Sequence, residues 1–294
     1  VKLRSRLVKE YKLGYNPHIH VDSVIGWIWL MFNKYNFKKD PLNIPKEVLS
    51  LIKKQFRRAH KIRLADSWGV AFHKALGGCP VPCGLFVSNN GHELFLLSKS
   101  HRGICDTHHL GGDWSIDDPS DITLETSRSA GPALAALGSL LTMGKNGFRS
   151  FLANQIMATK IFRDQVPKAT SFIVGNPKSL GFNTMLLIAP KEIRGGKKQN
   201  WKSGLSLVEN DEKLLMDLNE ELKSFYEWCL REKDNYSKQL GCSFSRSFYK
   251  TKSGKTISGL KYCLVSPHTN ANTIKKEIKK LKEQFKKFSK TNKR

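Results

Sequence analysis

Asp66-Ser67-Trp68-Gly69-Val70-Ala71-Phe72-His73-Lys74-Ala75-Leu76-Gly77-Gly78-Cys79-Pro80-Val81-Pro82-Cys83-Gly84 is the stretch from which the rest of the chain is read. Its first half is a short apolar run with aromatic and β-branched members, which favours a strand. Its second half holds Gly77, Gly78 and Gly84 with Pro80 and Pro82, residues that end regular structure. A strand therefore delivers His73 and Lys74 into a loop. A lysine in a turn is ordinarily just solvated. One that is fixed by a strand and free at its tip is also placed to form a Schiff base with a carbonyl cofactor.

The segment upstream sharpens that reading. In His18-Ile19-His20-Val21-Asp22-Ser23 apolar and polar residues alternate and lead to a carboxylate. An Asp after a strand is commonly a cap or a turn residue. Where the cofactor is pyridoxal phosphate, a carboxylate at that place keeps the pyridine nitrogen protonated, so that the ring accepts electrons. Asp22 and Lys74 are the candidates for the two roles, with strand-like and helix-like segments between them.

With these residues in view, the sequence resembles the pyridoxal-phosphate-dependent group II amino-acid decarboxylases. The likeness rests on four features in the family's order: a His-Val-Asp strand end, Asp66-Ser67 in a later strand, His73-Lys74, and the turn Gly78-Cys79-Pro80-Val81-Pro82-Cys83-Gly84, which is similar to the histidine and serine decarboxylase branch. It continues through Thr123-Leu124-Glu125-Thr126-Ser127-Arg128-Ser129, similar to a stretch that opens a helix, and reaches Gly259-Leu260-Lys261-Tyr262 and Ser266-Pro267. Nearly the whole chain is covered.

The resemblance implies an α/β fold: a portion of a fold-type I pyridoxal-phosphate transferase-like large domain with a mostly parallel sheet over residues 1–165, then a smaller α+β C-terminal domain over 166–294. It implies decarboxylation of an L-amino acid, a carboxy-lyase reaction of amino-acid metabolism, through an aldimine on Lys74. Lys74 and Asp22 are the catalytic candidates, and His73, Ser67, His20 and Arg128 join them around pyridoxal 5'-phosphate. His73 resembles the family's histidine near the cofactor phosphate, and Ser67 is a second hydroxyl candidate there. Arg128, at a helix start, suits an anion, or equally a structural contact with Glu125. A homodimer, or a complementing N-terminal chain, is implied as partner, and a cytoplasmic location.

The departures from the family pattern are specific. Ala71 stands where a bacterial subgroup often has Asp, Ser23 follows Asp22 where Ala is usual, and Ala75 follows the lysine where several members carry a bulkier or hydroxylated residue. Family members also have a long stretch ahead of the His-Val-Asp strand, carrying a phosphate cup and a side chain stacked on the cofactor. Here that strand comes within the first twenty-two residues, so the chain reads as the C-terminal portion of a decarboxylase. The alternatives are an inactive, truncated remnant and a basic binding protein on the same scaffold.

Composition sets the wider bounds. A chain of 294 residues with 39% hydrophobic and 10% aromatic residues can bury a sizeable core and is not a disordered polymer. The formal charge of +25 points on its own to nucleic acid or an anionic membrane. Yet the basic residues are spread along the chain and densest at its end, with no aromatic platform between them, so neither specific nucleic acid nor membrane is expected as a partner. Cys79 and Cys83 have a spacing seen in metal sites, with Cys105 before His108 and His109. The Pro-rich turn accounts for the first pair, no metal is expected, and reduced thiols are the simpler state.

Strand-like runs occur at 18–22, 62–65, 84–88 and 93–97, with helical periodicity at 45–58 and 131–165. Val24 to Phe32 is apolar, too short to span a bilayer, and reads as a buried element beside the first strand. Beyond 165, Phe172-Ile173-Val174, Met185-Leu186-Leu187-Ile188 and Leu260 to Val265 read as strands, with helices at 210–233 and 272–289. The second helix puts Ile274, Ile278, Leu281, Phe285 and Phe288 on one face and lysines on the other, the pattern of a packed terminal helix.

Overall fold

The structure, a computed structural model, describes residues 1–74, 78–88, 129–231, 241–266 and 268–291. It divides into two compact units, Val1–Leu152 and Ala153–Arg294.

The first unit opens with helix α1 (Lys2–Glu10), which the sequence reading did not foresee, and continues into strand β1 (His20–Asp22), a 3-10 segment Gly26–Phe32 and helix α2 (Lys46–Ala59). After a second 3-10 segment, His60–Leu64, come strands β2 (Ser67–Ala71) and β3 (Gly84–Ser88) and the start of helix α3 (Gly131–Ala169). The sheet order is β1-β2-β3. β1 and β2 are parallel, with His20 beside Ser67, Val21 beside Trp68 and Asp22 beside Gly69. β2 and β3 are antiparallel.

Two expectations need correcting here. The run at 62–65 is not a strand: Lys61-Ile62-Arg63-Leu64 alternates in polarity, but it continues the end of α2 as 3-10 turns and none of its residues is buried. The described sheet is also not mostly parallel. A parallel pair needs a long crossover, which the segment between β1 and β2 supplies, whereas the short link from β2 to β3 turns the chain straight back. The run at 93–97 lies outside the described residues.

The 3-10 segment Gly26–Phe32 buries Trp27, Ile28, Trp29 and Phe32, as its unbroken apolar composition demands. Arg149 of α3 caps its exit, with Nε donating to the Met31 carbonyl at 2.7 Å and a terminal nitrogen donating to the Asn33 carbonyl at 3.0 Å. The same guanidinium lies over the Tyr35 ring, 5.1 Å from its centroid. The Trp27 indole N–H donates to the Ala71 carbonyl at 3.2 Å, tying this segment to the end of β2.

In the second unit the remainder of α3 leads into β4 (Phe172–Val174), β5 (Asn183–Ile188), α4 (Trp201–Asn210), α5 (Glu212–Arg231), β6 (Cys242–Lys250), β7 (Thr256–Cys263) and α6 (Ala271–Thr291). The sheet runs β4-β5-β7-β6, every pair antiparallel. Helices cover both of its faces, and α5 contributes to each. Phe172, Val174, Leu186, Ile188, Leu260 and Tyr262 pack against Phe162 and Val166 of α3, Leu222 and Phe225 of α5, and Ile278, Leu281, Phe285 and Phe288 of α6. The alternate residues Ile173, Leu187 and Ile257 pack with Val208 of α4, Leu215 of α5 and Ile193. Burial on both faces is why β4 and β5 read as unbroken apolar runs rather than alternating ones. Each fully buried side chain of this kind contributes about 1.5–3 kcal/mol.

Candidate functional site

The parallel pairing of β1 and β2 brings most of the sequence-selected residues to one part of the first unit. Asp22 ends β1, exposed, opposite Gly69. The ladder runs one step further, because Ser23 N–H donates to the Gly69 carbonyl at 3.0 Å. The Asp22 carboxylate accepts from the Val24 N–H at 3.1 Å, a local turn contact that leaves its other oxygen open. On the neighbouring strand the chain leaves β2 after Ala71 through Phe72 and His73 to Lys74, whose N–H lies 3.4 Å from the Ala71 carbonyl. Asp22 thus sits at, and Lys74 just beyond, the carboxyl ends of two adjacent parallel strands, where open α/β sheets hold their ligands. Lys74 is exposed.

His73 is fixed by the returning strand. Its Nδ1 lies 3.0 Å from both the N–H and the carbonyl of Cys83, while the same carbonyl accepts from the Phe72 N–H at 2.8 Å. Nδ1 is thus engaged by the Cys83 backbone, and Nε2 is the nitrogen left for another partner, on an exposed side chain.

Ser67 takes a different place from the one a ligand-binding hydroxyl would have. It is fully buried, and its Oγ lies 2.7 Å from His18 Nε2 and 2.7 Å from His20 Nδ1. His20 in turn stacks on Phe86 of β3, ring centroids 5.7 Å apart and planes within 8°. Ser67, His20 and Phe86 form a continuous row across three strands. His18 and Phe86 were not singled out as site residues from sequence. Their signal was available only as register, since His20 faces Ser67 once the strands are paired in parallel, and two-residue periodicity carries His18 to the same side.

Asp66, beside Ser67, secures the entry to both strands. Its carboxylate accepts from the Ile19 N–H at 2.8 Å and pairs with Arg4 of α1. The Ile19 N–H, and then the Arg4 charge, hold the Asp66 carboxyl below the ordinary carboxylate range. Arg128 lies outside the described residues. Among the described residues no cluster of His, Cys, Asp and Glu is arranged to hold a metal ion, and no helix is long and apolar enough to cross a membrane.

No family model and no curated protein sequence matches the chain. Solved structures do. Over 98% of this chain and 50% of theirs, the fold is similar to Lactobacillus brevis glutamate decarboxylase, with a TM-score of 0.60 at 11% identity. Catharanthus roseus tryptophan decarboxylase in complex with L-tryptophan gives a TM-score of 0.56 at 14% identity, covering 95% of this chain and 45% of that one. Oryza sativa TDC with PLP and tryptamine gives 0.51 at 16%, covering 82% and 40%. The chain thus spans about half the length of these structures and shares the fold of amino-acid decarboxylases over that half.

Proposed function

We propose that the chain is the part of a pyridoxal-phosphate-dependent L-amino-acid decarboxylase that carries the lysine and the carboxylate of the cofactor site. The observation that carries this reading is the position of Asp22 at, and Lys74 just beyond, the ends of adjacent parallel strands, in a fold shared with decarboxylases. The residues present fit the group. An exposed primary amine meets the need of its aldehyde, and an exposed carboxylate with one oxygen uncommitted meets the need of its ring nitrogen.

When bound, pyridoxal phosphate supplies an acceptor for the electron pair left as the substrate carboxylate departs as carbon dioxide. The chain's own residues do the rest. Lys74 Nζ would hold the cofactor through its aldehyde. Asp22 keeps a proton on the ring nitrogen by offering it a carboxylate oxygen. His73, held at Nδ1 by the Cys83 backbone, would turn Nε2 toward the phosphate, which Arg128 would also serve. His20 lines the site, and buried Ser67 acts through it, fixing the imidazole from below. In this reading residues 1–165 are the end of the cofactor-binding domain and 166–294 the small domain. A homodimer, or a complementing N-terminal chain, completes the site in the cytoplasm.

The test is a spectral titration of the purified chain with pyridoxal phosphate, beside Lys74→Ala and Asp22→Asn. The reading predicts a saturable visible band for the wild type, its loss in Lys74→Ala, and weaker binding in Asp22→Asn by about tenfold, corresponding to ~1.4 kcal/mol. Identical titrations for all three proteins would contradict it.

A further inference from the structure

One group of charges in the second unit is not used by the site above. Lys282, Lys286 and Lys290 stand four residues apart on α6, hence in one row about 12 Å long on a single face of that helix. All three are exposed, and among the described residues no carboxylate lies within ion-pair distance of any of them. The row borders a cleft of about 370 Å³ whose other walls are Arg194, the hydroxyl residues Thr170, Ser171 and Ser289, Ala169 and Phe285. Among the described residues no acidic side chain lines it.

Like charges spaced by one helical turn repel, and a chain of net charge +25 does not relieve the repulsion from afar. The packing of α6 holds them there regardless, because Ile278, Leu281, Phe285 and Phe288 are buried on its other side. Arg194 is fixed by two hydrogen bonds to the Ala189 carbonyl, at 3.1 and 2.9 Å, and lies over the Phe285 ring. It has a partial partner in Glu221, 3.8 Å away, which does not line the cleft. The Thr170 and Ser289 hydroxyls already donate to the Val166 and Phe285 carbonyls, at 2.7 and 2.8 Å, so the row of ammonium groups carries the site, with the remaining Arg194 N–H groups and the Ser171 hydroxyl beside it. Clustered cations in a concavity are what linked phosphates take.

We propose that this cleft binds a small soluble anion bearing two or three linked phosphates, such as a di- or triphosphate. The size of the concavity favours it over a polymer: the space holds one small group, and the lysine row matches a short chain of phosphates. The only aromatic residue in its wall, Phe285, is itself buried, so there is no exposed ring on which bases would stack.

The test is calorimetric titration of the full chain with inorganic tripolyphosphate and, separately, orthophosphate. The same is done for the triple variant K282Q/K286Q/K290Q and for a charge-matched control, K34Q/K54Q/K61Q, which alters exposed lysines of the first unit. The result expected is one tripolyphosphate per chain, bound more tightly than orthophosphate. Binding should weaken about tenfold or more in the α6 variant and by much less in the control. Since the variant removes a repulsion, its helical circular dichroism and Tm should equal or exceed those of the wild type, which excludes misfolding as the cause. Equal weakening in both variants, or no saturable binding, would overturn the proposal. So would tighter binding of a single-stranded RNA oligomer, or recovery of the protein with phosphatidylserine vesicles, if lost in the same α6 variant.

Discussion

Ser67 has one hydroxyl proton and two imidazole neighbours at 2.7 Å, so at least one of His18 and His20 must donate a proton to it. Replacing Ser67 by alanine would leave imidazole nitrogens without their partner beside a fully buried position. The expected cost is about 1–3 kcal/mol, read from chemical denaturation. A stability within experimental error of the wild type would show that the two contacts carry nothing. Asp66 gives a pH prediction. Its carboxyl is held below the ordinary range in the folded chain, so the stability it adds is fully present above that range. It is lost as pH falls through the lowered folded value. In Asp66→Asn the acid side of the stability profile should flatten, as followed by unfolding across a pH series. At this scale the sequence showed which residues bear chemistry but not what each touches. The Asp66-Ser67 pair reads as two polar residues before a strand, and only the register of His20 beside Ser67 turns the hydroxyl inward.

Two glycines show how different constraints hide behind one residue type at the scale of elements. Gly144 interrupts α3 with φ of 55°, and a Cβ there would meet nothing within 4 Å. With ψ at 178° this is a backbone region that only glycine adopts readily, so Gly144→Ala should cost the backbone strain, about 1–3 kcal/mol. Gly204 in α4 has helical backbone, but a Cβ would come within 2.5 Å of Ile173 Cδ1. Gly204→Ala obliges the buried Ile173 side chain to move its δ-methyl, and the expected cost is about 1–3 kcal/mol. Thermal unfolding of both variants checks the pair, and a neutral Gly204→Ala would refute the close packing of that helix. Arg163 is the clamp of the second unit, donating to the carbonyls of Ser179, Gly181 and Asn183 and to the Thr184 hydroxyl. Burial pulls its guanidinium down to about 10. The continuous apolar runs of β4 and β5 were legible because both faces are covered. β6 was not, since none of its residues is buried and its composition carries no clear alternation. Nor was α4, Trp201–Asn210, to which the sequence reading assigned no element.

For the whole molecule the excess of 50 basic over 25 acidic residues means that the folded state is compact against its own charge. Added monovalent salt should raise its Tm by screening that repulsion. A fall with salt would mean that favourable ion pairs, such as Arg4 with Asp66, outweigh the net charge. The same charge was the strongest argument from composition for a nucleic-acid partner, yet composition averages over two units that bury separate cores. The order of Asp22, Ser67, His73 and Lys74 was readable before any fold was known, and in the structure Asp22 ends β1 while Lys74 follows the neighbouring strand β2. The chemistry assigned to them rests on Lys74, and it can be caught directly. The chain is mixed with pyridoxal phosphate and reduced with borohydride, and the modified residue is located by mass spectrometry with Lys74→Ala as control. The account predicts one phosphopyridoxyl group per chain, on Lys74, and none in the variant. Labelling scattered over the many surface lysines, unchanged in Lys74→Ala, would contradict it.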